Sequence, residues 1–373
     1  MVISLKKARR LLTYFSLLLV MGLVLPLASC SSADEGGGGD ANSDSGSADG
    51  SESEADADGA EDADDEEARE PVISVSSDTF PLTVTDFDGY ETVLEERPEK
   101  VVFLSGTPLN IWYDVGGEAV GRSELTDNIR LLEEKEDEIL AVPSVGMPYA
   151  ISAESVAAMK PDLIVGTQGP HDDTIDRFRE LGFNAILIKV RSFEDLEDTY
   201  SAFGALAGEP EHAAERFAQI SADTQDVLDR VPDEDADVVI LFVSASNLGV
   251  KLNNSIIGQM LEDLGVENVA SDLAPDNPGS ETTPLNIEAI VMEQPDQVLV
   301  PSMIGSNEEA RTTLEEQIES NNGWNAIDAI AEGKISYMPQ QYFLYNAGPY
   351  YADALEYLAA TVYPDVYGEP VEP

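Results

Sequence analysis

Ile151-Ser152-Ala153-Glu154-Ser155-Val156 leads to Pro161-Asp162-Leu163-Ile164-Val165, and Leu285-Asn286-Ile287-Glu288-Ala289-Ile290 leads to Pro295-Asp296-Gln297-Val298-Leu299-Val300. The step from Glu to Pro is seven residues in both. Each copy reads as a short helix, a turn set by Pro-Asp and a buried strand. Proline stops a helix, and a short apolar run bounded by turn residues suits an interior strand. One such unit is common in α/β proteins. Two at one spacing predict two similar lobes.

Between the copies lies a long helix. Pro210 suits a first turn, and Ala213, Phe217, Ile220, Val227 and Val231 recur at helical spacing. From Pro210 to Val231 it would span about 33 Å, ending near Pro232-Asp233. On either side, short apolar runs alternate with helical segments: Val101–Leu104, Leu163–Val165, Ala185–Ile188, Val238–Val243, Val298–Val300 and Ile335–Met338. Continuous apolar strands separated by helices predict buried, mostly parallel sheets. Leu82 to Leu94, with Asp88-Gly89 at its centre, reads as a hairpin, and Tyr351–Val362 as a closing helix.

The fold class is therefore α/β: two similar lobes with mostly parallel sheets, joined by one long α-helix, with a ligand cleft between them. In open α/β sheets ligands bind beyond the carboxyl ends of the strands. That places the cleft at Ser105-Gly106-Thr107, Met147-Pro148-Tyr149, Thr167–His171, Arg191, Ser244–Asn247, Ser302–Ser306 and Gln340–Tyr345.

Charge divides the chain further. Its 373 residues hold 73 acidic and 20 basic side chains, a net charge of -53, with 43% hydrophobic residues to build a core. So negative a chain is unsuited to nucleic acid, whose phosphates demand Lys and Arg. One cysteine permits no intrachain disulfide and no cysteine-based zinc site, and two histidines make no histidine cage. Residues 1–29 carry Lys6, Lys7, Arg9 and Arg10 and then an apolar run, the pattern of an export signal. Leu27-Ala28-Ser29-Cys30 has small residues ahead of the lone cysteine.

Residues 30–71 are mostly Gly, Ser, Ala and acid, with Arg69 as the one base and without one aliphatic residue larger than alanine besides Pro71. They cannot offset their ordering entropy by burial, and read as a disordered acidic tether. Within it Glu54, Asp56, Asp58, Gly59, Asp62 and Asp65 stand at calcium-loop spacing. No amphipathic helices flank them, and acid-rich sequence produces such spacings by chance. The folded part then runs 72–209 (N-terminal lobe), 210–232 (interlobe helix) and 233–373 (C-terminal lobe). With the tether and signal set aside, 57 acidic and 15 basic residues remain there, a net -42. This charge favours solubility and suits a salty setting.

Enzyme signatures are absent: no G-x-S-x-G, no H-E-x-x-H, no P-loop and no dinucleotide fingerprint. No resident cofactor is expected.

Arg97-Pro98-Glu99-Lys100-Val101-Val102, Ile151 to Gly166, Ile256-Ile257-Gly258-Gln259-Met260-Leu261 to Asn268-Val269, Ile287 to Val300 and Trp324 to Pro364 together carry a resemblance. In their order and spacing they resemble the substrate-binding proteins of ABC importers for iron complexes and vitamin B12, the group with a rigid helix between lobes. Leu27 to Cys30 resembles the bacterial lipobox, which implies cleavage before Cys30 and lipidation of it. The resemblance implies a lipid-anchored receptor on the extracytoplasmic face of the membrane. It would capture a small-molecule iron complex and pass it to an ABC permease with a separate ATPase subunit. It also implies that Glu154 and Glu288, one per lobe, meet basic residues of that permease. As plain residues they are helix-start glutamates favoured by the helix dipole.

Haem receptors of this group carry an axial Tyr or Met in the loop ahead of the first Glu, which implies Tyr149 or Met147 here. His171, in the next loop, is a further candidate donor to haem iron. A phenolate is a hard donor and a thioether a soft one. Across the cleft stand Met303 and Tyr345. Arg191, Lys251 and Arg311 are the candidate cations for an anionic siderophore, Ser105 and Thr107 are candidate polar contacts, and Tyr342, Phe343, Tyr345, Tyr350 and Tyr351 could form an aromatic wall. Met and Tyr equally line apolar clefts as packing, and helical spacing equally allows some of these aromatics to be core. Cobalamin is the alternative cargo. A chelatase-like enzyme and a non-transport surface lipoprotein are the alternatives of another class.

Overall fold

The computed structural model describes residues 69–245 and 248–373. The expected signal segment, Cys30, the calcium-spaced acids and nearly all of the tether lie outside those residues, as do Ser246 and Asn247. The unit described is Glu70–Pro373.

Four parallel strands form the N-terminal sheet, in the order Ala119–Arg122, Val101–Phe103, Leu163–Thr167, Ala185–Ile188. Both faces are covered. Val101, Phe103, Leu163 and Val165 join one core, while Val102, Ile164, Ala185 and Leu187 join another. This two-sided burial is why these strands are written as unbroken apolar runs. The hairpin forms as Leu82–Thr85 against Glu91–Leu94, turning at Gly89 with φ 74°. Asp86 ties it to the sheet by accepting the Leu187 N–H at 2.8 Å and pairing with Arg179.

In the C-terminal sheet Asp237–Ser244 lies parallel to Gln297–Val300, which lies parallel to Ile335–Tyr337. On its other side Leu248–Lys251 and then Thr282–Thr283 extend the sheet antiparallel. The sequence reading omits this arm, since Gly249 interrupts one strand and the other is two residues long.

The two repeat copies share the same cap bond and the same pair of turn bonds. Ser152 and Asn286 cap the seven-residue helices Ala153–Met159 and Ile287–Glu293 by accepting from Ser155 N and Ala289 N. After each helix, the Asp of Pro-Asp locks the turn to the start of the neighbouring strand. Asp162 N donates to Lys100 O at 2.9 Å, and its carboxylate accepts from Lys100 N at 2.9 Å. Asp296 N donates to Asp237 O at 2.8 Å, and its carboxylate accepts from Asp237 N at 3.2 Å.

The interlobe helix is Pro210–Leu228. It stops three residues short of the predicted Val231. Its last bonds tighten to Arg230 N→Val227 O and Val231 N→Leu228 O ahead of Pro232, which cannot continue a helix. It packs on Phe193–Ala207 and Tyr351–Val362. One apolar cluster joins its Ile220 and Val227 to Val101 and Phe103 on one side and to Val238, Ile240 and Leu299 on the other. The lobes thus share a continuous core, which resists a large hinge motion.

Candidate functional site

Because each lobe's main strands are parallel, their carboxyl ends emerge together. The segments after them line a cleft of about 1390 Å³. That exceeds the roughly 300–1,000 Å³ of common small-molecule pockets. From the N-terminal lobe come Ser105, Thr107, Met147, Tyr149, His171 and Arg191; from the C-terminal lobe Lys251, Met303 and Tyr345. Of the expected loop 244–247, the described residues Ser244 and Ala245 do not line it.

Tyr149 sits at the tip of the two-stranded turn Gly146–Met147 and Ala150–Ile151, and is 76% exposed. Met303 faces the same cavity, also exposed. Burial, with Tyr149 near it, pushes the Tyr345 phenol up. Ser105 and Thr167 share a hydroxyl hydrogen bond at 2.5 Å, and Thr107 Oγ1 donates to Asn346 O at 2.8 Å. The latter joins two cavity-lining residues far apart in the chain.

Three expectations need correction. His171 is fully buried, and both ring nitrogens are engaged. Nδ1 accepts from Thr167 N at 3.0 Å, so Nε2 carries the proton and donates to Pro148 O at 2.7 Å. Burial pushes its pKa down. His171 therefore braces the turn that carries Tyr149 and offers no free donor to iron.

Arg311 lies outside the cavity lining. It stands half-exposed on the helix Asn307–Ser320, over the Tyr337 ring at 4.4 Å and 3.8 Å from Glu308. Cation–π and local ion pairing hold it on the helix surface.

The aromatic wall shrinks to Phe343 and Tyr345. Tyr342 is buried against Phe343 and Tyr357, with its hydroxyl accepting from Arg130 at 2.7 Å. Tyr351 is wholly buried and donates to Asp263 at 2.9 Å. Tyr350 lies under the Arg130 guanidinium at 3.9 Å and donates to Leu131 O. Tyr342 and Tyr350 fasten the C-terminal segment to the Arg130 loop of the other lobe, and Tyr351 fastens it to the helix Ile256–Leu264.

Trp112 and Trp324 are both buried in lobe cores and do not line the cavity.

Sequence reasoning missed Glu281 and the segment Glu124–Ile129, which also line the cleft. Glu281 accepts from Lys251 Nζ at 3.0 Å and pairs with Arg191, whose Nη2 also donates to Gln168 at 3.1 Å. No local motif marks Glu281. Its position follows from the ladder in which Lys251 opposes Thr282 and Leu252 N donates to Glu281 O.

Glu154 and Glu288 occupy equivalent exposed sites in the first turns of the two repeat helices. Among the described residues no group of three or more His, Cys, Asp or Glu is placed to hold a metal ion, and no helix is long and apolar enough to cross a membrane.

The family profile described as periplasmic binding protein matches residues 101–342. The chain is 21% identical to an uncharacterized ABC transporter substrate-binding lipoprotein of Bacillus subtilis, YvrC, over 79% of this chain and 89% of that one. It is 25% identical to a cobalamin-binding protein of Halobacterium salinarum, over 59% of this chain and 58% of that one. Among solved structures, an ABC-type Fe3+-hydroxamate transport protein of Saccharomonospora viridis superposes with TM-score 0.63 at 21% identity, covering 76% of this chain and 99% of that one. Haem-bound IsdE of S. aureus superposes with TM-score 0.62 at 18% identity, covering 71% and 98%. These two share the fold.

Proposed function

This chain belongs to the periplasmic binding protein family, and from that premise we propose that it is an extracytoplasmic receptor for an iron complex, siderophore or haem. It delivers that cargo to the permease of an ABC importer, whose ATPase is a separate subunit. Family membership makes it a substrate-binding protein rather than an enzyme.

The observation that carries the reading is the cleft of about 1390 Å³ at the strand ends of two lobes with a shared core. It has room for a macrocycle or a wrapped siderophore, and its walls mix apolar side chains with a few convergent polar ones. Tyr149 and Met147 are the residues offered to haem iron. Cys30 is the proposed lipid anchor, and residues 31–71 the tether that holds the receptor off the membrane. Glu154 and Glu288 are the proposed docking points, one per lobe, fixing register on a basic partner. Cobalamin is the second reading, favoured by the likeness to the Halobacterium protein that bears that name.

A hemin titration followed by visible absorbance tests the proposal, with a ferric hydroxamate and cyanocobalamin titrated beside it by calorimetry. Calorimetry is preferred because Trp112 and Trp324 are buried away from the cavity. Saturable one-to-one binding of hemin or the hydroxamate is the expected result. Saturable binding of cyanocobalamin alone would move the cargo to corrinoids, and no binding of any of the three would overturn the receptor reading.

A further inference from the structure

The cations Arg191 and Lys251 face the cleft from opposite lobes, and one carboxylate stands between them. Glu281 Oε1 pairs with Arg191 and Glu281 Oε2 with Lys251 Nζ at 3.0 Å. All three side chains are about four-fifths buried, at 21%, 17% and 21% exposure for Arg191, Lys251 and Glu281. Each is held in place by its own backbone. Arg191 N donates to Asp195, the residue that closes the capping box on Ser192. Lys251 and Glu281 are set by the Leu248–Lys251 and Thr282–Thr283 ladder. The Lys251 ammonium also lies over the Phe242 ring at 4.5 Å.

We infer that Glu281 is a specificity-determining residue that keeps multiply anionic complexes out of the cleft and restricts the cargo to uncharged or near-neutral ones. The inference rests on the receptor reading above and narrows its cargo. A polyanion approaching Arg191 and Lys251 meets a fixed carboxylate that already holds both. At this burial water screens charge less than in bulk, so the carboxylate offsets much of the attraction that the two cations would otherwise exert on an anion. A neutral complex leaves the three-residue bridge intact. The rest of the wall adds to the effect: Glu124, Asp127 and Glu372 also line the cavity, whose remaining cation, Lys189, lies over the Phe87 ring at 5.2 Å.

The test compares the full chain with Glu281→Gln, which keeps the shape and removes the charge. Calorimetric titrations would use a neutral ferric hydroxamate, ferric citrate and iron-free citrate. Glu281→Gln should gain at least tenfold in affinity for both citrate probes while binding the hydroxamate within about threefold of wild type. Adding Arg191→Gln and Lys251→Gln should remove the gain, which a merely structural role for Glu281 would not produce. Unchanged or weaker citrate binding by Glu281→Gln, with hydroxamate binding intact, would overturn the inference and leave the receptor reading standing. A gain confined to iron-free citrate, in a protein that binds none of ferric citrate, the hydroxamate, hemin and cyanocobalamin, would support the charge gate and overturn the receptor reading. Tight ferric citrate binding by the wild type would overturn the gate directly.

Discussion

Lys160 and Gln294 are the two non-glycine residues with positive φ among the described residues, 51° and 48°, and each closes the same seven-residue helix in its own lobe. A left-handed cap lets the chain leave the helix and enter Pro-Asp at once. It also carries a steric cost that glycine does not, on the order of 1–2 kcal/mol for other residues. Lys160→Gly should stabilise the protein by up to about 1 kcal/mol, after glycine's own entropy loss. Gln294→Gly should not, because the Gln294 side chain donates to Ala326 O at 2.8 Å and accepts from Asp328 N at 3.0 Å, and glycine removes both bonds. Thermal unfolding should show a small rise in midpoint for Lys160→Gly and none for Gln294→Gly, and a fall for Lys160→Gly would mean that its side chain, and not the backbone, holds that turn.

Docking makes a sharper demand. Glu154→Lys with Glu288→Lys should lower uptake in cells at least tenfold while cargo affinity in solution stays within twofold of wild type. Both positions are exposed in first turns, so the fold should survive, at a cost of about 0.3–1 kcal/mol per site from the lost helix-dipole interaction. Uptake that stays at the wild-type level would refute the docking role.

His171 gives a pH signature. Burial holds its pKa below the ordinary 6.5, so the unfolded chain binds the proton first as pH falls. Its contribution is complete above about pH 6.5 and is lost as pH drops through the folded value. Melting curves between pH 7.5 and 5.5 should show a smaller decline in His171→Gln than in wild type. At pH 7.5 the variant should melt lower, since the brace between Thr167 and Pro148 is weakened. Parallel declines would show that His171 is not the titrating group.

Gly258 explains one residue of the motif Ile256-Ile257-Gly258. A Cβ there would lie 2.5 Å from Leu252 O and 2.7 Å from Asn253 Cα, and backbone cannot move aside as a side chain can. Its N–H is also received by the cap residue Ser255 at 3.2 Å. Gly258→Ala should destabilise by about 1–3 kcal/mol, the range for overpacking. Denaturant unfolding would read this as a lower midpoint with an unchanged slope. An unshifted midpoint would mean that the Leu252–Asn253 turn gives way easily.

Much of this was legible in the residues. Strands buried on both faces must be apolar throughout, so Val101–Phe103, Leu163–Val165 and Ala185–Ile188 announce themselves. Ala119–Arg122 does not, because it ends in a buried arginine. Arg122 is satisfied there by carbonyls of Ile139, Leu140 and Ser123, none of which a strand pattern signals. Cavity-lining segments such as Ser105–Thr107 and Met303–Ser306 follow legible strands, whereas Glu124–Ile129 follows Ala119–Arg122, which has no such pattern. Tyr342 and Tyr351 go to the core rather than the wall, a choice that helical spacing leaves open because it does not say which side of a helix faces a ligand.

The sequence by itself determined the two repeated units, the helix between them and the edge where a cleft must open. Those rest on local rules of periodicity, capping and turns, which act over a few residues. Only the tertiary structure decided that His171 is spent on Thr167 and Pro148, that the Tyr342 hydroxyl belongs to Arg130, and that Glu281 stands between Arg191 and Lys251. Arg191 and Glu281 are far apart in the chain and come from opposite lobes. The charge a cleft presents is a sum over such distant partners, and no stretch of sequence contains that sum.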